Sequence, residues 1–186
     1  DRRGLHVPCR HDGSTDGGRE LLEAYARERP QIRIVTGAGQ GPAKARNLAL
    51  GEARGDLIAF LDADDLWPAE KLALQLDRLA RTPSVDAVWG HTRWFDTQHP
   101  TELRPADGAR VADALGVNVG AGIVRRSVID KIGGFDENLT YSEDVDFVLR
   151  MRDGGVPITA LRPVVLYYRR HAASMTTRFT DTEKAD

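Results

Sequence analysis

Apolar positions recur along this chain with two different spacings. Gln31-Ile-Arg-Ile-Val35 is strand-like, and Asp56-Leu-Ile-Ala-Phe-Leu61 is a nearly continuous apolar run. Such a run predicts a strand buried on both faces of a parallel sheet. Val85–Trp89 and Val164–Tyr168 are further strand candidates. Helical spacing lies between them. Residues 18–29 place Leu21, Leu22 and Tyr25 on one face, with Asp16 as N-cap and Pro30 as the stop. Residues 42–53 open with proline in the first turn and approach Gly55, which suits a glycine C-cap. Residues 68–81 repeat leucine at 72, 76 and 79 before Pro83. Short helices are expected over 126–132 and 144–152, an irregular crossover over 92–117, and a frayed polar end from Thr176. Strand–helix alternation predicts an α/β domain with a mostly parallel sheet. Within it, 31–35 and 56–61 should be parallel neighbours or near-neighbours, joined through a right-handed crossover by the 42–53 helix. No internal repeat or second domain is evident, so one domain is expected over residues 1–186.

Composition narrows the classes. The 186 residues are 41% hydrophobic and 29% charged, enough for a packed core. Lys plus Arg number 26 against 28 Asp plus Glu, a net charge of -2. That balance argues against a nucleic-acid binder or an anionic-membrane binder. Cys9 is the single cysteine, and no Cys/His spacing resembles a zinc site. Apolar runs such as Leu57–Leu61 fall far short of the roughly 20 residues a membrane span needs. Asp1-Arg2-Arg3-Gly4 has no apolar stretch behind it, unlike a signal peptide. A soluble, cytoplasmic chain is expected, with peripheral attachment at the inner membrane face as a variant.

Four clusters could carry chemistry. Asp62-Ala63-Asp64-Asp65 follows the 56–61 run, where open α/β sheets bind ligands. Carboxylates at 62 and 64 could converge on a hard divalent cation, which takes one or two carboxylates with phosphate oxygens. The same residues fit a capped turn, with Asp65 as the cap. Asp12-Gly-Ser-Thr-Asp-Gly17 precedes a helix, where small residues let the backbone approach a phosphate, or simply cap the helix. Ser142-Glu-Asp-Val-Asp-Phe147 is an acidic helix start. It offers a carboxylate base, or only a complement to the helix dipole. Thr36-Gly-Ala-Gly-Gln-Gly41 imitates the cofactor loop of short-chain dehydrogenases. Their Tyr and Lys four apart are absent, because Tyr25, Tyr141, Tyr167 and Tyr168 are followed at that distance by Arg29, Val145, His171 and Ala172.

Taken in order, six motifs resemble family 2 glycosyltransferases of the GT-A fold. They are Asp12-Gly-Ser-Thr-Asp16, Gly41-Pro-Ala-Lys-Ala-Arg46-Asn47, Phe60-Leu-Asp62-Ala-Asp64-Asp65, Gly133-Gly-Phe-Asp-Glu137, Ser142-Glu143-Asp144 and Tyr168-Arg-Arg-His171. The resemblance implies a Rossmann-like three-layer sandwich and an inverting transfer from a nucleotide sugar, most simply a UDP-sugar. The acceptor hydroxyl would belong to a glycan or lipid-linked acceptor, as in polysaccharide or cell-envelope synthesis. It places Asp12 and Ser14 near the nucleoside, and Arg46 at the donor's nucleotide end. Asp62 and Asp64 would hold Mg²⁺ or Mn²⁺ at the diphosphate, with His171 reaching back to the metal. Gly133 and Gly134 resemble the flexible loop beside donor and acceptor, Asp144 the base, and Glu143 its orienting or acceptor-binding partner.

The chain departs from the family pattern at its start. Only residues 1–10 precede the Asp12 loop, Pro8 is out of place in a central parallel strand, and His11 stands where the family has Asp. A partial domain lacking its first strand–helix unit is therefore expected. A catalytically impaired remnant is the alternative function, and a dehydrogenase-like NAD(P)-binding domain the more distant one. Nothing in the sequence indicates the oligomeric state.

Overall fold

The computed structural model describes residues 6–11, 17–36 and 41–171. Their contacts divide the chain into two compact units, residues 1–58 with 124–156 and residues 59–123 with 157–186.

The first unit begins with β1 (Val7–His11), α1 (Gly18–Glu28), β2 (Ile32–Thr36) and α2 (Pro42–Glu52). β1 and β2 are parallel, in register from Val7 opposite Ile32 to His11 opposite Thr36. The segment around Pro8 is thus a strand, contrary to the expectation drawn from its proline. Strand N–H groups alternate sides, and the Val7 N–H donates toward β2, to Gln31 O at 2.8 Å. The nitrogen of Pro8 therefore faces away from β2, and the missing donor costs that ladder nothing. Asp16 lies outside the described residues, and the helix N-cap is Gly17, in the left-handed region at φ 82°. α2 ends at Ala53 rather than on Gly55. The Arg126 guanidinium caps that end, donating to Ala53 O at 2.7 Å and Gly55 O at 2.9 Å.

β3 is only Leu57–Ile58 and pairs antiparallel with β6 (Ile123–Arg125). The expected 56–61 strand is therefore shorter, and Leu61 is exposed. β2 pairs with β1 and not with β3, so the 31–35 and 56–61 segments are not directly paired. α4 (Arg126–Ile132) and α5 (Glu143–Asp153) complete the unit. Phe147 and Met151 of α5 are buried, and the Phe147 ring stacks on Phe135 at 4.6 Å.

The second unit is built on β4 (Ala87–Phe95), flanked by antiparallel β5 (Val111–Leu115) and parallel β7 (Ile158–Arg169). Strands thus occupy part of the stretch expected to be irregular. The α/β class stands, with a sheet that is parallel only in part. The register of β4 against β7 slips between Trp89 and His91. Gly90 sits at that slip, where a Cβ would come within 2.6 Å of Val165 Cγ2. α3 (Lys71–Arg81) buries Lys71, Gln75 and Leu79, a stripe at i, i+4 and i+8. Of the leucine repeat at 72, 76 and 79, Leu79 belongs to this buried stripe while Leu76 is exposed. Gln75 Nε2 donates to Val88 O and Ala121 O, both at 2.9 Å, and Lys71 Nζ donates to Gln75 Oε1 at 2.8 Å. Satisfying the strand and turn carbonyls is what makes a polar stripe the one to bury.

Candidate functional site

The chemical side chains fall into two groups, one in each unit. In the first unit the sequence Ser142-Glu-Asp-Val-Asp146 starts α5, with three acids in its first turn. Ser142 takes the left-handed region at φ 60°, a conformation that costs a side chain energy and sharpens the turn into the helix. Glu143 is buried and accepts from Arg46 Nη1 of α2 at 2.5 Å, while the Arg46 guanidinium also lies 5.4 Å over the Phe135 ring. Arg46, expected at the donor's nucleotide end, is thus placed on the first acid. Asp146 is paired to Arg150 at 2.8 Å.

Among the described residues, Asp144 alone of the three acids makes no close ion pair, although the Arg46 charge still acts on it. Its Oδ1 accepts the Val145 N–H at 2.8 Å. Burial, then the neighbouring Glu143 charge, push its carboxyl above the ordinary range. Two arginines thus neutralise the flanking acids and leave a partly buried carboxylate with enhanced basicity.

Gly133 and Gly134 form no loose loop. Gly133 is the C-cap of α4 at φ 78°, its N–H returning to Ile129 O at 2.8 Å. Arg150 donates to Ile132 O at 2.7 Å and to Gly134 O at 2.8 Å. On the other side Asn47 accepts from the Phe135 N–H at 2.8 Å and donates to Phe135 O at 2.9 Å. A methyl group at Gly134 would run into Asn47 Oδ1. Sequence context alone does not point to Asn47 or Arg150, although Asn47 closes the Gly41–Asn47 motif.

In the second unit the 62–65 turn closes through the Asp65 N–H to Asp62 O at 3.2 Å. His171 Nε2 and Asp64 Oδ2 are 3.1 Å apart. Two of the three residues expected at the metal, Asp64 and His171, are thus brought together. Among the described residues no three His, Cys, Asp or Glu side chains converge on one point, so no metal cage is preformed. Asp65 is buried, and burial followed by the Asp62 and Asp64 charges pushes its carboxyl up to about 7, against the Arg169 N–H it accepts. Asp12 and Ser14 lie outside the described residues, as does most of the Gly-rich 36–41 loop.

Comparisons with known proteins agree with one another. A family model described as Glycosyl transferase family 2 matches residues 5–132. TuaG of Bacillus subtilis (strain 168), named for teichuronic acid biosynthesis, is 45% identical over 82 residues, 44% of this chain and 32% of TuaG. YibD of Escherichia coli (strain K12), an uncharacterized glycosyltransferase, is 42% identical over 114 residues, 60% of this chain and 33% of YibD. The chain thus spans about a third of the length of these curated relatives. The structure of S. aureus TarS 1-349 in complex with UDP-GlcNAc superposes with a TM-score of 0.70 at 21% identity, covering 94% of this chain and 52% of that one. The mannosyltransferase PcManGT from Pyrobaculum calidifontis, in complex with GDP-Man and Mn2+, gives 0.68 at 22% identity, covering 100% and 53%. At these identities the likeness shows the fold, an α/β fold of the GT-A type. Among the described residues no helix is long and apolar enough to cross a membrane.

Proposed function

Since the chain belongs to glycosyl transferase family 2, we propose that it transfers a sugar from a nucleoside-diphosphate sugar to an acceptor hydroxyl, inverting the anomeric centre. The observation that carries this reading is the α5 start, where Arg46 and Arg150 hold Glu143 and Asp146 in close ion pairs while the Asp144 carboxyl, without such a pair, is shifted upward by burial. A sugar hydroxyl is a poor nucleophile at neutral pH. A carboxylate whose proton affinity lies nearer neutrality accepts its proton more readily as the oxygen attacks. The bond from the anomeric carbon to the acceptor oxygen forms as the bond to the diphosphate oxygen breaks. The proton passes to Asp144, and the electron pair leaves with the nucleoside diphosphate. Glu143, fixed by Arg46, orients the turn that presents Asp144. Asp12 and Ser14 are assigned to the nucleoside end.

Asp62, Asp64 and His171 are the residues that would hold Mg²⁺ or Mn²⁺. The donor set fits, because two carboxylates and an imidazole suit Mn²⁺, and Mg²⁺ needs only one or two carboxylates alongside substrate phosphates. Few protein ligands would be needed where substrate phosphates supplied the remaining oxygens. Bound there, the cation offsets the charge developing on the leaving group. Support for a nucleotide-sugar donor comes from the neighbours, one solved with UDP-GlcNAc and one with GDP-Man and Mn2+. The name of TuaG supports an acceptor in cell-envelope glycan synthesis.

Calorimetric titration of Mn²⁺ with UDP into the wild type and Asp64→Ala tests the metal assignment. We expect clear binding that weakens on substitution, and equal affinities would overturn it. Transfer or hydrolysis of UDP-sugars by the wild type tests the activity. Binding without any turnover would favour the impaired remnant.

A further inference from the structure

The last residues of β7 run alongside the 64–67 turn. Leu66 and Tyr167 exchange both backbone hydrogen bonds, the Leu66 N–H to Tyr167 O at 3.0 Å and the Tyr167 N–H to Leu66 O at 2.9 Å. Strand N–H groups alternate sides, so the Arg169 N–H points the same way as that of Tyr167. At this point the turn offers no backbone carbonyl. The Asp65 side chain supplies the acceptor instead, Oδ1 taking the Arg169 N–H at 3.1 Å. The intervening side is held by β4, with the Arg170 N–H donating to Phe95 O at 2.8 Å. Two residues past Arg169, His171 meets Asp64.

We propose that Asp65 is a positioning residue, whose carboxylate extends the Leu66–Tyr167 ladder by one rung and so delivers His171 to Asp64. Asp65 is only 5% exposed, and its Oδ2 is buried without a partner among the described residues. A carboxylate that shares a metal with an incoming diphosphate has to be reachable, so burial sets Asp65 apart from Asp62 and Asp64 next to it. The inference rests on the metal reading of Asp64 and His171 for its consequence, though not for the clamp itself.

The test compares Asp65→Asn, which keeps an acceptor oxygen, with Asp65→Ala and Asp65→Leu, which do not. Two readouts are taken: amide hydrogen exchange at Arg169, and calorimetric affinity for Mn²⁺ in the presence of UDP. The Asn variant should stay within about 3-fold of wild type in both, while Ala and Leu should lose about 10-fold in each, the order expected for one hydrogen bond. Exchange at Val88 and Val165, in the centre of the sheet, should not change. Should the Ala and Leu variants fail to fold, Asp65→Ser, whose hydroxyl is too short to reach Arg169, takes their place. Asn binding Mn²⁺ as weakly as Ala would show Asp65 to be a ligand and overturn the proposal. So would an unchanged Arg169 exchange rate in Ala, or faster exchange throughout the sheet. If the wild type binds no Mn²⁺ with UDP, the metal reading fails on its own. The Arg169 exchange rate and the NMR shift of the His171 ring then still decide whether Asp65 places His171.

Discussion

Asp144 and Glu143 are adjacent acids with opposite fates. Glu143 is buried against a guanidinium, and Asp144 is left to accept a backbone N–H beside it. Removing the base while keeping the shape, as in Asp144→Asn, should lower kcat by roughly 10²–10⁴-fold. Donor affinity should barely change, because the base acts on the acceptor; steady-state kinetics with parallel calorimetry separates the two. The pH profile follows from the same site. Asp144 works deprotonated and its carboxyl is shifted upward, so the rate should fall as pH drops through a value above the ordinary carboxylate range. A pH–kcat/KM profile checks this, and the limb should vanish in Asp144→Asn. The motif made Asp144 legible in the sequence. The Arg46–Glu143 pair beside it was not, because the two residues lie 97 apart and sequence spacing says nothing of such pairs.

At the scale of elements, α3 shows where amphipathic reasoning stops. A leucine repeat predicted its face, yet Lys71 and Gln75 fill the core beside Leu79 because they serve carbonyls of β4 and of the 118–122 turn. Periodicity registers only apolarity, so a buried polar stripe is invisible to it. Strand β5 escaped for the converse reason: most of its side chains are exposed, leaving no inward alternation to read. α1 and α2 were legible because Pro30, Pro42 and the apolar spacing bound them, although their caps are Gly17 and Ala53 rather than Asp16 and Gly55. Burial lowers the Lys71 amine to about 7 from its ordinary 10.5. Between those values the unfolded chain holds a proton that the folded chain does not, so stability should rise with pH across that window, at up to about 1.4 kcal/mol per pH unit. Urea melts from pH 7 to 10 should show the rise in wild type and a flatter curve in Lys71→Met. Gly134→Ala should displace Asn47 from the Phe135 backbone and cost about 1–3 kcal/mol, the price of a buried donor and acceptor left unmade. Thermal or urea denaturation of that variant measures it.

Over the whole molecule, each unit is assembled from two stretches of chain, residues 1–58 with 124–156 and 59–123 with 157–186. The family match ends at residue 132, before Phe135, the acids and α5. A fragment ending at 132 should therefore lack the Phe135–Phe147 stack and the Glu143 and Phe135 partners of Arg46 and Asn47 in α2, and melt without cooperativity by circular dichroism. Pro8 bears on how such chains meet one another. Among the described residues β1 pairs only with β2, and its outward rim is interrupted where proline offers no hydrogen. A strand from another molecule docking there would find a gap in its rungs, which should hinder edge-to-edge association. Replacing the proline with alanine should leave the melting point nearly unchanged while raising the oligomer fraction seen by light scattering.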